Sequence, residues 1–337
     1  NHLDYYEDSG HAYLFGPSTI DNKDNHIYTE NGFYDTRLDQ GRMIQNSFIL
    51  YDNKRIEADE MFYDERQSYA KGINNVKVTD TINNTIATSH FAEVFRANDS
   101  IYMTKKPLIE YYTEQDTTYF HAKNLQIVGP DKQRIIKGYP NARIYRTPEM
   151  SGKADSLHYD QKIGLLQLIR KPVLFNGESQ LTGDVIHLIN DVVTEKLDSL
   201  KVLNNAFVVE KDTLGTGFNQ AKGINMYGKF IDDKIRQIDL VQNAEMIYYL
   251  YDEGELQGID KGICSKIVLE LEDNKITTAT RMINPEGTTY PPEQFPENAR
   301  RLQGFHWRGD ERIYSVAALF SDEELQHDTT AEKQVEE

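Results

Sequence analysis

The sequence lacks the features that define several common classes of protein. Its 337 residues include a single cysteine, Cys264, so an internal disulfide framework is excluded and we expect a small buried side chain there. No run of about 18 apolar residues occurs, so the sequence predicts no membrane-spanning helix. Lys and Arg number 37 against 54 Asp and Glu, which gives a net charge of -17. This balance argues against binding to nucleic acid or to an anionic membrane surface.

Helical periodicity is also scarce, and the composition and the sequence pattern are typical of β structure. The chain has 21 Tyr residues, a type that favours strands. Short alternating segments are separated by polar turns, as at residues 52–54, 82–84 and 272–275. Residues 184–203 come nearest to a helical period, and the β-branched pair Val192–Val193 favours a strand there. The pattern predicts an all-β sandwich, barrel or solenoid.

A repeated unit becomes visible when small residues are aligned. The anchors recur about every 30 residues, the size of a small structural repeat, at Ala58, Ala92, Ala122, Ala154 and Gly183. Each unit ends in a returning segment led by Asn or Pro, whose second and fourth places share one strand face. These places are nearly all apolar, and Glu110 is an exception that indicates an edge, a mouth or a misaligned copy. The predicted apolar column contains Ile49, Val76, Val78, Leu108, Ala142, Ile144, Val173, Phe175, Ala206, Val208 and Met246.

The repeats predict one long β body with distinct ends. We expect a leading strand and turn at residues 1–20 and the repeats at residues 21–284. A break, if there is one, is expected near residues 129–138 or 211–223, where turn residues accumulate. Residues 285–320 are rich in proline and unsuited to a central strand, and the acidic residues 321–337 are expected to be flexible.

The repeated pattern resembles the OstA/LptA family. Its clearest copies are residues 58–64 (ADEMFYD) and 154–160 (ADSLHYD), and the resemblance covers residues 28–276. The family includes periplasmic lipopolysaccharide-transport proteins and the N-terminal domain of their outer-membrane partner, and the Tyr- and Asn-rich character is similar to members from Bacteroidetes. The resemblance implies an elongated, folded-over antiparallel β-jellyroll (β-taco) built from repeated strand pairs. This chain departs from the small bridge proteins of the family in its length, its Pro-rich C-terminal segment and its acidity.

The function that the resemblance implies is that of a non-enzymatic lipid carrier or bridge. Acyl chains of lipopolysaccharide, or of a related envelope glycolipid, would lie in an apolar slit lined by the predicted column. The expected partners are this lipid, other Lpt-type envelope proteins and further copies stacked end to end. The resemblance also implies export to the periplasm, with the signal peptide absent from this sequence, and association with the outer membrane. No cofactor, metal or catalytic residue is expected.

Three alternatives stay open at this point. The apolar column could be the closed core between two sheets rather than an open slit. The chain could be a structural module that assembles through strand edges and carries no lipid. A carbohydrate-processing β-helix enzyme is a third option, although such an enzyme would show a carboxylate cluster on one face.

Other repeated polar residues have two interpretations each. Asp59, Asp155 and Asp184 could bind Ca²⁺, but hydrogen bonding at turns or strand ends explains them more simply. His158 and His187 occupy matching places, and solvent-facing strand positions account for them better than a metal pair does. The basic doublets could meet lipid phosphates, or they could be solvated surface; they are Lys105–Lys106, Arg170–Lys171 and Arg300–Arg301.

Overall fold

The protein is built of antiparallel strands. The computed structural model describes residues 2–22, 25–114, 116–273, 275–321 and 324. Across these residues the regular structure is β, so the predicted all-β class is confirmed. Within residues 184–203, Val185–Asn190 and Leu197–Leu203 are strands, but Val192 and Val193 lie in the turn between them, so the strand predicted at this pair is wrong. The 3-10 turns are Arg96–Asn98, Pro292–Gln294, Glu297–Ala299, Gly309–Glu311 and Ala317–Leu319. Within the described ranges, no helix is long and apolar enough to cross a membrane.

The chain divides into two compact units. Unit 1 comprises Asn1–Ile144, Asp160–Lys162 and Val316–Glu337, and unit 2 comprises Tyr145–Tyr159 and Ile163–Ser315. The turn-rich stretches 129–138 and 211–223 each lie inside one unit. The predicted flexible tail at residues 321–337 falls outside the described residues, apart from Ser321 and Glu324.

The strands of the first part of the chain alternate regularly between buried and exposed positions. They are β1 (His2–Tyr6), β2 (His11–Asp21), β3 (Asn25–Asp35), β4 (Gln40–Gln45), β5 (Ser47–Tyr51), β6 (Lys54–Ala58), β7 (Glu60–Asp64), β8 (Tyr69–Asp80), β9 (Thr85–Phe95), β10 (Ser100–Thr104), β11 (Leu108–Tyr112), β12 (Thr117–His121), β13 (Asn124–Val128), β14 (Ile135–Tyr139) and β15 (Ala142–Thr147).

The remaining strands begin with β16. They are β16 (Met150–Ala154), β17 (Ser156–Asp160), β18 (Leu165–Ile169), β19 (Val173–Asn176), β20 (Ser179–Thr182), β21 (Val185–Asn190), β22 (Leu197–Leu203), β23 (Ala206–Lys211), β24 (Phe218–Gly223), β25 (Asn225–Ile231), β26 (Lys234–Asp252), β27 (Glu255–Glu272), β28 (Lys275–Met282) and β29 (Glu286–Tyr290).

Within each unit the strand pairs form two layers. In unit 1, layer A contains β5, β6, β11 and β12, and layer B contains β1, β4, β7, β10, β13 and β14; β2, β3, β8 and β9 pass through both. In unit 2, layer A contains β16, β19, β20, β23, β24 and β29, and layer B contains β18, β21, β22, β25 and β28. Strands β26 and β27 pass through both layers of unit 2.

The two layers of a unit join along one side, here called the corner. Where the chain passes from layer B to layer A, two consecutive residues usually have positive φ, such as Asn74 (56°) and Asn75 (47°). Asn is one of the few residues with a side chain that adopt this left-handed conformation readily, which explains the Asn-led returning segments. Further pairs of this kind are Lys105–Lys106, Arg170–Lys171, Asn204–Asn205 and Gln242–Asn243.

The predicted small anchors lie where the chain crosses back from layer A to layer B. The residue after the anchor donates its backbone N–H to the facing bend, as from Asp59 to the Asn74 carbonyl at 3.1 Å. The anchor must be small because the space is tight: a Cβ on Gly183 would lie 2.4 Å from Val202 Cγ1. The same place in a later copy is taken by Cys264, which is buried as predicted.

One anchor was aligned wrongly. Ala92 pairs with Gly72 and Met103 inside layer B, beyond the crossing. The crossing in this copy is at His90, whose N–H donates to the Lys105 carbonyl at 2.9 Å.

On the opposite side of each unit, here called the mouth, the described residues form hairpin turns. Each of these turns joins two strands of the same layer. In unit 1 the turns of layer A include those at residues 52–53 and 81–84, and the turns of layer B are at residues 7–10, 36–39, 65–68, 96–99 and 129–134. At the mouth, side chains therefore provide the contact between the layers.

Candidate functional site

From β3 onward, the inner face of unit 1 is apolar and closed. Cross-strand register places one continuous row on the inner side of layer A. Every member of this row is at most 2% exposed: Ile27, Ile49, Ile56, Val78, Ala87, Ile109 and Phe120. The corresponding row of layer B contains Leu14, Met43, Met61, Ala92, Met103 and Leu125.

The inner face of unit 2 is built in the same way. Register joins Leu174, Leu181, Val208, Ala221 and Met246 in one row across layer A. Part of this row faces Leu269 and Ile276 of layer B across a cavity of about 10 Å³. Such a space is about what one water molecule needs. In this structure the interior is therefore closed.

Most of the predicted column lies on these inner faces. All eleven residues are at most 8% exposed. Ala142 and Ile144 alternate with Arg143, whose guanidinium reaches outward to the Leu319 carbonyl at 2.6 Å. The residues that face inward are Ile49, Val76, Val78, Ala142, Ile144, Ala206, Val208 and Met246. That they line a lipid slit stays a prediction.

Three predicted residues lie on the opposite, outer face of layer A. Leu108 pairs with His121, whereas the inward row passes through its neighbour Ile109. Val173 and Phe175 flank the inward Leu174, and the Arg312 guanidinium lies 5.9 Å from the centre of the Phe175 ring on the outside. The prediction that these three share the face of Val208 and its equivalents is wrong.

The cause is a slip of one residue in the two copies led by proline. The inward strand begins directly after the two positive-φ residues, which are Asn74–Asn75 in one copy but Lys105–Lys106 in another. Pro107 therefore matches Val76, and the inward place falls on Ile109. The polar Glu110 in an otherwise apolar column was a sign of this slip. Of the three explanations for it, an edge, a mouth or a misaligned copy, the misaligned copy is correct. The same shift moves the inward place from Val173 to Leu174.

The outer face of layer A in unit 2 is covered by residues 291–315, here called the strap. Phe295 and Leu302 of the strap are buried against strand residues Phe207, Val209 and Ile247. Trp307 of the strap lies 5.3 Å from the Phe218 ring. The Pro-rich segment is thus a packed part of unit 2, which the sequence did not predict.

Two buried glutamines of layer A bind the strap backbone with both ends of their amides. Gln220 donates to the Arg300 carbonyl at 2.8 Å and accepts from the Leu302 N–H at 2.9 Å. Gln180 donates to the His306 carbonyl at 2.7 Å and accepts from the Arg308 N–H at 2.6 Å. The side-chain amide of each glutamine therefore hydrogen-bonds to the strap backbone as a neighbouring strand would.

In unit 1, residues after the strap cover His121 on the outer face of layer A. The Phe320 ring lies 4.9 Å from the His121 ring, and Glu324 Oε1 lies 3.4 Å from His121 Nε2. Burial acts to raise the pKa of Glu324, but hydrogen bonds from His121 and Ser321 outweigh it and lower the pKa to about 2.

Polar side chains cross the mouth of unit 1. Asn83 of layer A donates to Asp131 of layer B at 2.9 Å and accepts from the Lys132 N–H at 2.8 Å. Arg134 of layer B donates to Asp131 at 2.8 Å and forms an ion pair of 3.6 Å with Asp80 of layer A. Lys54 adds a contact of 3.7 Å to Asp131. We call this group the clasp: Lys54, Asp80, Asn83, Asp131 and Arg134.

The basic side chains of the clasp attract its acidic side chains. Burial acts to raise the pKa of Asp131, but the Asn83 amide and the Lys54 and Arg134 charges outweigh it and hold the pKa below its ordinary value. Lys54 and Arg134 are only 4% and 5% exposed. Asp131 is thus an ionised hub of a mostly buried network.

A second polar bridge lies on the same side of unit 1. Asn25 of layer A accepts from Arg96 of layer B at 2.6 Å and donates to Tyr63 at 2.8 Å and to Glu65 at 3.0 Å. The mouth of unit 1 is therefore closed by hydrogen bonds and charges above an apolar interior.

The mouth of unit 2 has an acid on its inner face. Burial raises the pKa of Glu210 against the opposing effect of the Asn219 amide, which donates to it at 3.0 Å. Tyr248 donates across to the Ile276 carbonyl of layer B at 3.1 Å. Both side chains border the small cavity, so the apolar row of unit 2 ends in polar contacts between its layers.

The repeated acids stabilise the corner. Asn75 donates to Asp59 at 2.9 Å, Asn205 donates to Asp184 at 3.0 Å, and Arg170 lies 3.3 Å from Asp155. Hydrogen bonding at the strand ends was the simpler interpretation, and it accounts for Asp59 and Asp184, while Asp155 is held by an ion pair.

Of the other polar candidates, His187 and two basic doublets make structural contacts, whereas the Nδ1 atom of His158 is buried and has no hydrogen-bond partner among the described residues. His187 bonds Gln167 at 2.9 Å on layer B, where burial and the nearby Lys201 lower its pKa. The doublets Lys105–Lys106 and Arg170–Lys171 form positive-φ bends at the corner. No group of three or more potential metal ligands occurs in the part of the chain that the structure describes.

Comparison with known proteins gives a distant structural likeness. No family model matches the chain, and no curated protein matches it significantly. The chain is similar to LptH from Pseudomonas aeruginosa, whose structure is described as the LptA homologous periplasmic component of the conserved lipopolysaccharide transport device. The identity is 18%, the TM-score is 0.32, and the match covers 42% of this chain and 95% of LptH. At this level the likeness carries no argument, and the fold assignment rests on the strands and register of the chain itself.

Proposed function

We propose that the protein is a non-enzymatic carrier that holds the acyl chains of lipopolysaccharide, or of a related envelope glycolipid, between its two layers. The observation that carries this proposal is the asymmetry of each unit. The layers are joined by continuous strands at the corner and only by side chains at the mouth. They can therefore part at the mouth while the backbone ladder of each layer stays intact.

The interior suits a cargo without hydrogen-bonding groups. An acyl chain needs dry apolar surface, and each buried methylene contributes about 0.8 kcal/mol. Val78, Ile109 and Phe120 offer such a surface in unit 1, and Leu174, Val208 and Met246 offer one in unit 2. The resemblance of the repeats to the OstA/LptA family supports the choice of an envelope lipid, a periplasmic location and Lpt-type partners.

Photo-crosslinking from paired positions tests this function. A benzophenone amino acid would replace Val78, which faces inward, or its neighbour Lys77, which faces outward on the same strand. The protein would be expressed in its native envelope, irradiated and analysed by mass spectrometry for bound lipid. We expect lipid adducts at position 78 and at least tenfold fewer at position 77. Equal labelling at both positions, or none at position 78 and at Val208, would refute a lipid-holding interior.

A structural assembly module is the second candidate, and strand β1 favours it. Among the described residues β1 pairs only with β2, and its Leu3 and Tyr5 side chains are 57% and 52% exposed. An open strand edge with apolar side chains can pair with another chain. We expect Leu3→Pro to reduce any concentration-dependent association seen by analytical ultracentrifugation. If the wild-type protein stays monomeric at high concentration, this candidate fails.

A further inference from the structure

The interior of unit 1 is covered along its length, so a cargo that enters from the side must pass between the layers at the corner or at the mouth. The inner row from Ile27 to Phe120 has no member more than 2% exposed, so an acyl chain finds no open surface there. Entry at the corner would break continuous strands and their ladders. Entry at the mouth requires only that the side-chain contacts between the layers separate.

The clasp is one of two groups of polar contacts that such an opening must break, the other being the bridge that Asn25 makes to Arg96, Tyr63 and Glu65. The bonds of the clasp join the turn at residues 81–84 of layer A to the turn at residues 129–134 of layer B. Asn83 is central to it, because its amide engages Asp131 and the Lys132 backbone together. The residue is 1% exposed.

Separating the residues of the clasp requires only a moderate free energy. Water can replace each of its partners when the turns move apart, so the net contribution of each hydrogen bond is small compared with its strength in isolation. The Nε–H groups of Arg134 and of nearby Arg96 are buried and have no hydrogen-bond partner within the described ranges. A buried donor without a partner destabilises the closed form, and opening would allow these groups to be hydrated.

We propose that the clasp is the latch of unit 1, which releases so that an acyl chain can pass between the layers and closes when the interior is empty. This inference rests on the proposed lipid-carrier function. It assigns Lys54, Asp80, Asn83, Asp131 and Arg134 to the control of cargo entry rather than to stability alone.

A reversible disulfide across the mouth tests the latch. Asn83→Cys and Asp131→Cys would be introduced together with Cys264→Ala, because the side chains of residues 83 and 131 already touch. The probe is a 14-carbon fatty acid with a diazirine in its chain, and the readout is labelling of unit 1 peptides by mass spectrometry. We expect at least tenfold less labelling in the oxidised protein than in the same protein after reduction. Unit 2 peptides provide an internal reference.

The matched control locks the corner instead of the mouth. Asn75→Cys with Asp59→Cys, in the same Cys264→Ala background, replaces another touching pair of side chains. Its oxidation should leave unit 1 labelling within about twofold, since the corner stays joined in either state. Undiminished labelling of the oxidised mouth variant would overturn the latch while leaving the carrier function intact. A wild-type protein labelled at neither unit's interior would overturn the carrier function and the latch with it.

Discussion

The attachment of the strap gives a sharp quantitative prediction. In Gln220→Ala, the Leu302 N–H and the Arg300 carbonyl lose the partners that now lie 2.9 and 2.8 Å away. A buried polar group without a partner costs about 1–3 kcal/mol, so two such groups should destabilise the strap by about 2–4 kcal/mol once partial access to water is allowed for. Gln180→Ala should behave in the same way, because Gln180 makes an equivalent pair of bonds.

The only tryptophan of the chain, Trp307, lies in the strap and provides the assay. Urea unfolding followed by its fluorescence reports on the strap and on the layer beneath it, while circular dichroism follows the strands as a whole. Gln167→Ala is a suitable control because Gln167 makes its side-chain bond to His187 on layer B, away from the strap. If Gln220→Ala lowers the stability reported by Trp307 no more than Gln167→Ala does, the assigned role of the glutamines is incorrect.

Three further predictions concern the corner and the clasp. Asn75→Ala should destabilise unit 1 by about 1–3 kcal/mol in urea unfolding, because alanine is strained at positive φ and the bond to Asp59 is lost; an unchanged midpoint would contradict this. The pKa of Asp131 is held below its ordinary value, so its stabilising effect is present at neutral pH and is lost as the pH falls through the lowered folded-state pKa. Asp131→Asn should therefore flatten the acid side of a Tm–pH profile. Gly183→Ala should lower the free energy of unfolding by about 1–3 kcal/mol in the same urea unfolding assay, because the new Cβ would lie 2.4 Å from Val202 Cγ1. An unchanged free energy of unfolding would show that the corner is packed more loosely than the structure indicates.

The fold class and most of the inward column could be predicted from sequence because their signals are local. Alternation with a period of two marks strands, and Asn marks the left-handed bends at which layer A begins. Where the bend is Asn74–Asn75 or Asn204–Asn205, the predicted inward residues are correct. Where it is Lys105–Lys106 or Arg170–Lys171, the side chains have no preference for positive φ, and the register slipped by one residue.

The strap could not be found by periodicity, since its anchors Phe295, Leu302 and Trp307 follow neither a strand nor a helix period. A signal did exist in the strands beneath it. Ala206 to Val209 and Val173 to Phe175 are continuous apolar runs, which indicate strands covered on both faces. The prediction assigned these runs to the inner column alone and therefore missed that their outer faces are covered as well.

The same apolar rows serve as the core of the empty protein and as the proposed contact surface for lipid, and this has an energetic consequence. When an acyl chain enters, each inner side chain exchanges contact with the facing layer for contact with methylene groups, at a similar gain of about 25 cal/mol per Å² of apolar surface kept from water. For the protein's own side chains the apolar terms therefore nearly cancel between the empty and the loaded states, and the net apolar gain comes from the acyl chain, at about 0.8 kcal/mol for each methylene that it buries. What does not cancel is the loss of polar contacts at the mouth, between Asn83 and Asp131 and between Arg134 and Asp80 in unit 1. These contacts, rather than the composition of the inner face, would then determine how readily the unit takes up and releases its cargo.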